Sequence, residues 1–220
     1  MSKDTKLLIE ELSRDLSPKG ARLLSPNHLV LVWFSLFVSI TLLLMTWRAP
    51  FRSNVFEQLS ASPHFVFELL IAAIACICLT VGTIQGSVPG GSRVLGRIGI
   101  LAAVLWAAST SIQLIFPAVS PSMLGKREHC YWEAFYYSVP AGLAMAWLVG
   151  RRYPLAPIAN AIFAGFSVSI VPAVLMQYAC MYDARHALTH HLLPALIGGV
   201  LIAIIVLFGS SFLKNNKIAQ

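Results

Sequence analysis

Charge is what this chain lacks most: only 11% of its 220 residues are Asp, Glu, Lys or Arg, against 57% hydrophobic residues and a mean hydropathy of +0.74. So little charge cannot cover a globular surface in water, which excludes an ordinary soluble domain. Acid is scarcer than base, with 9 Asp and Glu against 16 Lys and Arg. A net charge of +7 would suggest a nucleic-acid binder in a soluble protein. Here the basic residues flank apolar runs, where they orient membrane helices, so no direct nucleic-acid partner is expected. Cysteine is sparse too, at four. No dense Cys-x-x-Cys or His-Glu-x-x-His motif is present, no internal repeat has a fixed period, and no pair of broken helices occupies corresponding halves. The last absence argues against the usual secondary-transporter plan.

Long apolar runs are what remains. Six of them, at 29–47, 65–83, 98–116, 132–149, 158–178 and 192–212, can each span a hydrocarbon core of about 30 Å as a helix. Backbone in lipid must satisfy its own hydrogen bonds, so the expected fold is all-α, a six-helix transmembrane bundle over 29–212. The polar lead over 1–28 carries four acids and no small-residue cleavage site follows the first run, which argues against a secretory signal. Basic residues number 11 in the N-terminal tail, the second and fourth loops and the tail over 213–220, and 5 in the other loops. The positive-inside rule then places both termini in the cytosol.

In the N-terminal tail, Asp4 can cap a short amphipathic helix over 6–16, on which Leu8, Leu12 and Leu16 form a stripe with Ile9 at its edge. Surface anchors carry strongly basic polar faces and large aromatics. This tail has five basic residues, four acidic ones and no aromatic, so it reads as a helix that docks a partner protein. Within the runs, Cys76 and Cys78 read as packing residues, and Gly82 and Gly86 as a small-residue pair admitting a close neighbour. Pro172 is expected to kink the fifth helix. Glu68 is expected to reach water or Arg48 and Arg52.

Reactive side chains gather in the segment 180–191, which holds Cys180, Asp183, His186, His190 and His191. Cys130 follows His129 in the preceding loop, on the same outer side of the membrane. Two cysteines outside the cytosol can form a disulfide if their Cα atoms come within about 7 Å. Alternatively, two thiolates with imidazoles suit zinc, copper(I) or cadmium. His186 and His190 are four apart and can face one point, with Asp183 as an outer carboxylate or simply a helix N-cap. No resident cofactor is expected beyond a heavy-metal ion held transiently at Cys130 and Cys180.

An Asp/Leu-rich cytosolic helix ending in Asp15-Leu16-Ser17-Pro18 precedes six membrane runs. One cysteine stands just before the fourth run, and another opens the last loop as Tyr178-Ala179-Cys180. This arrangement resembles the NrsF-like (negative regulator of sigma F) bacterial membrane anti-sigma factors over essentially the whole chain. The resemblance implies an inner-membrane protein, not an enzyme, that sequesters an extracytoplasmic-function sigma factor. Its N-terminal helix would fall on 6–16, and periplasmic cysteines that sense heavy metal or oxidative stress would fall on Cys130 and Cys180. Two rival readings are a membrane thiol oxidoreductase and a small transporter. The first needs a redox pair close in sequence and a quinone site. The second needs more aligned mid-membrane polar residues than Gln113, Gln177 and Asn160.

Overall fold

The computed structural model describes residues 25–88, 90–117, 123–152 and 154–218. The expected helix over 6–16, with Leu8, Ile9, Leu12 and Leu16, lies outside the described residues. In chain order the elements are α1 (Pro26–Arg48), α2 (Val55–Ala61), α3 (Pro63–Gly86), α4 (Val94–Ile112), α5 (Cys130–Gly150) and α6 (Pro157–Ala179). A short turn α7 (Ala184–His186), a π-helical turn (Ala187–Leu192) and α8 (Leu193–Ile218) follow as one rod. There is no β-strand among the described residues.

Five helical segments are long and apolar enough to cross a membrane: α1, α3, α4, α6 and Ala184–Gly209. The fourth apolar run is also a helix, α5, but it is not among these five; its first turns hold Tyr131, Glu133, Tyr136 and Tyr137. Proline at the first turn starts α1, α3 and α6, where its missing N–H has no helical partner to lose. Ser25 and Ser62 cap α1 and α3 by accepting the N–H groups of His28 and Phe65.

Helix α6 is the axis of the bundle. In its most apolar stretch 72% of residues are buried, against 17% for α1, so α6 is enclosed by its neighbours while α1 lies at the edge. The enclosure depends on small side chains. A Cβ on Gly165 would stand 2.1 Å from the carbonyl oxygen of Gly199, so α6 and α8 touch backbone to backbone. Gly82 does the same for α3 against Gly96 of α4, where a Cβ would meet the Cα at 2.3 Å. Of the small-residue pair on the second run, Gly82 thus admits α4, while Gly86 faces the Asn160 side chain of α6. Helix α6 continues unbroken through Pro172, and α5 through Pro140.

Two features depart from the expected layout. The connection between the first two runs contains a two-turn helix, α2. The last helical rod begins eight residues earlier than hydropathy places it, because Asp183 accepts the N–H of His186 at 2.9 Å and starts a helix across the histidine-rich stretch. Hydropathy reads those histidines as loop. The fold turns His186 and His191 toward the buried cysteines, so the helix can include them.

Candidate thiol–imidazole site

The C-terminal ends of α1, α4 and α6 and the N-terminal ends of α3, α5 and the last rod meet at one end of the bundle. Cys130 opens α5 and Cys180 caps α6, and both are fully buried. One donor atom from each of Cys130, Cys180, His186 and His191 lies within 4.8 Å of the other three. Cys130 Sγ is 3.1 Å from His191 Nε2, and Cys180 Sγ is 3.2 Å from His186 Nε2. All four cysteines are free thiols, and Cys76 and Cys78 stand on α3 outside this group.

The π-helical turn decides which histidine joins. In α-helical winding, about 100° per residue, His190 would follow His186 round to the same face and His191 would lie roughly 140° away. The wider turn over Ala187–Leu192 returns the fifth residue toward the first. His191 therefore enters the buried donor group, and His190 remains outside it. His190 stacks on His186 with ring centroids 4.2 Å apart and contacts the Thr189 hydroxyl at 2.7 Å. His129 is exposed beside the first turn of α5, and Asp183 serves as the helix cap; neither belongs to the donor group.

Hydrogen bonding favours charge on one sulfur. The Cys180 thiol is driven well below the ordinary thiol range, first by the hydrogen bond from Cys130 and then by those from His186 and His191, against burial, which raises it. Negative charge is therefore favoured on Cys180, with Cys130 as the thiol that donates to it. Because the folded value lies below that of an ordinary thiol, the native state binds fewer protons than the unfolded chain between the two values. This group's stabilisation is complete above the unfolded value and is lost as pH falls through the folded one. In chelator-treated protein with Cys76 and Cys78 replaced by alanine, one thiolate absorbance per chain is expected to persist at pH 6. Cys180→Ser should abolish it.

The donor set fits a soft cation. A tetrahedral ion with sulfur at about 2.3 Å and nitrogen at about 2.0–2.1 Å holds its ligand atoms roughly 3.3–3.8 Å apart, close to the spacing present. Two thiolates and two imidazoles favour zinc-group ions and copper(I) over magnesium or calcium. His191 Nδ1, however, is buried without a hydrogen-bond partner. The imidazole thus lacks the outer bond that orients ligands in permanent sites, and the group suits an ion that comes and goes.

A second polar cluster, not anticipated from sequence, adjoins the first. Glu68 does not reach water or pair with Arg48 or Arg52; it is fully buried and accepts the Tyr182 hydroxyl at 2.8 Å. The Gln113 amide donates to the same hydroxyl, and His64 Nε2 stands 3.6 Å from Glu68. Burial first and the Glu68 charge second push the Tyr182 phenol up, so it stays neutral and donates. The buried guanidinium of Arg52 lies over the Phe65 and Tyr182 rings at 5.3 and 5.6 Å, without a hydrogen bond. Tyr182→Phe would leave the carboxylate and the amide unpaired. An expected loss of about 1–3 kcal/mol can be read by equilibrium unfolding in detergent. The sequence signal for this cluster was a lone glutamate in an apolar run, and its partner lies 114 residues away.

A third group, also missed from sequence, sits beside Cys130. Arg127 pairs with Glu133 at 2.9 Å, with both side chains buried. Arg127 also donates to the carbonyl oxygens of Met45, Ala49 and Pro50 at 3.2, 2.6 and 3.3 Å. Basic residues near a run's end had been read only as orientation markers.

Comparison with known proteins places this geometry. Over 144 residues the chain is 30% identical to the Carotenogenesis protein CarR of Myxococcus xanthus, an alignment covering 62% of each protein. No solved structure matches the chain. Residues 12–211 match the family model described as Negative regulator of sigma F, a span that runs from before α1 into α8. With five helical segments among the described residues fit to cross a membrane and a match over nearly its whole length, the chain belongs to the negative regulator of sigma F family.

Proposed function

We propose that the protein holds an extracytoplasmic-function sigma factor at the bacterial inner membrane through its N-terminal segment. The cluster of Cys130, Cys180, His186 and His191 is the input that releases it. The observation that carries this reading is the convergence of those four donors, buried at one end of a bundle whose apolar helices otherwise offer little chemistry. The excess of basic residues near the termini supports placing that end in the periplasm. The Leu8, Leu12 and Leu16 stripe, with Ile9, supports a docking helix for the sigma factor on the opposite side.

Two stimuli suit the cluster. A soft cation such as cadmium binds as the Cys130 thiol releases its proton and any imidazole proton on Nε2 moves to Nδ1, freeing Nε2 as a ligand. A two-electron oxidant such as hydrogen peroxide joins the sulfurs: the Cys180 thiolate and the Cys130 thiol lose one proton and two electrons between them, one more proton comes from water, and the peroxide becomes two waters. Either event draws α5 and the end of α6 into a new arrangement, and the sigma factor is freed to act on transcription with no nucleic-acid contact by this chain. The test is co-purification from unstressed membranes with a C-terminal tag, comparing the full chain with one lacking residues 1–17. A sigma factor is expected with the full chain only, and it should elute on addition of cadmium. Equal recovery from both forms would refute the assignment of the N-terminal segment.

A further inference from the structure

We infer that Arg127 is the positioning residue that connects the thiol cluster to α1, and that signal leaves the cluster through the outer end of that helix. The inference rests on the sensing role proposed above for the four donors and adds the route by which their state reaches the sigma-binding side.

Helix α1 is the helix that follows directly from the N-terminal segment, and it is lightly held. Its fully buried residues are Phe37, Thr41 and Met45, a single line at four-residue spacing facing α3 and α6. A helix with so narrow a buried face depends on what holds its ends. The last carbonyls of a helix have no partner within it and carry the negative end of its dipole. Here the Ala49 and Pro50 oxygens just past the helix end, with the Met45 oxygen that also accepts the Ala49 N–H, converge on one guanidinium nitrogen, Nη2 of Arg127.

The other nitrogen of the fork, Nη1, holds Glu133. Glu133 stands in the first turn of α5, where the helix dipole favours an acid, and three residues from Cys130, so the two share a helix face. Arg127 thus bridges the C-terminal end of α1 to the turn of α5 that carries a sensing thiol. A second connection is apolar: Met45 packs in one buried cluster with Cys130, Cys180, Met176, Ala179 and Met181. The polar bridge and the apolar contact reach the same turn of α1 from the same two cysteines.

Seating an ion among the four donors spreads the 3.1 and 3.2 Å sulfur–imidazole contacts and draws the longer separations in, and joining the sulfurs shortens theirs; either shifts the first turn of α5. Glu133 moves with it. Arg127 cannot follow Glu133 while keeping three fixed carbonyls, because its fork is planar and its hydrogen bonds are directional. The bridge opens, the end of α1 loses its cap, and the helix with its N-terminal extension is free to shift.

The experiment is hydrogen–deuterium exchange in lipid nanodiscs on the full chain, with and without cadmium, for wild type, Arg127→Gln and Glu133→Gln. Cadmium binding is read in the same samples by thiolate-to-metal absorbance. In wild type, cadmium is expected to speed exchange of peptides covering residues 45–50 at least tenfold. In Arg127→Gln that exchange should already be fast without cadmium and unchanged by it, while the absorbance titration matches wild type. Glu133→Gln, which keeps the carbonyl contacts, should fall between and guards against a folding defect in the first variant. Unchanged exchange at 45–50 in metal-bound wild type, or a cadmium response in Arg127→Gln equal to that of wild type, overturns the bridge. Failure of the sigma factor to co-purify would instead remove the proposed output and leave this measurement of the bridge intact.

Discussion

Cadmium binding by the His191→Ala variant is expected to be weaker than wild type by at least about 100-fold, since losing merely an outer hydrogen-bond partner of a metal ligand costs about 10–100-fold. His190→Ala, one residue earlier, should bind as wild type does. The contrast follows from the π-helical turn, which aims His191 at Cys130 and leaves His190 stacked on the outer side of His186. Cysteine and histidine content alone does not separate the two residues. The measurement is a titration of thiolate-to-cadmium absorbance in detergent, with Cys76 and Cys78 replaced by alanine. A loss in His190→Ala with none in His191→Ala would show that the histidines bind through an ordinary α-helical face, and the assignment of the donor set would be wrong. His186→Ala should resemble His191→Ala, because Cys180 Sγ meets His186 Nε2 at a similar distance.

Arg127→Met is expected to destabilise the fold by about 3–5 kcal/mol, the range seen when one partner of a buried ion pair is removed. It leaves the Glu133 carboxylate buried without its cation and the end of α1 without its cap. Combining it with Glu133→Leu should restore much of the loss, because the double variant buries no charge at that position. Full recovery is not expected, since the Ala49 and Pro50 carbonyls remain unpartnered in both. Equilibrium unfolding in mixed micelles of the two single variants and the double variant gives the coupling directly. Additive losses would mean that the two side chains do not act as a pair. A stable double variant that ignores cadmium would separate what the pair does for stability from what it does for signalling.

Much of the architecture was legible in residue order because membrane solvation is a local rule. Each apolar run must be helical wherever it ends up, so all six appear as helices, five of them apolar enough to cross a bilayer. Starts were legible for the same reason, since Pro and Ser at the first turn act within a few residues. The grouping of Cys130 with Cys180 was legible only through topology. Counting runs puts both at the same end, and a shared end is a weaker statement than a shared site.

The chain order by itself determined that this is an all-helical protein with Cys130, Cys180 and five of its six histidines gathered at one end, because hydropathy and helix caps are written in neighbouring residues. Tertiary structure alone decided which groups meet. His191 replaces His190 through one wide turn, Glu68 finds Tyr182 across 114 positions, and Arg127 reaches back 78 positions to Ala49. These contacts depend on how closely α3 meets α4 and α6 meets α8 at glycine, and on the narrow face by which α1 is held. Interhelix distance is set by packing across the whole bundle, and no local pattern of residues encodes it.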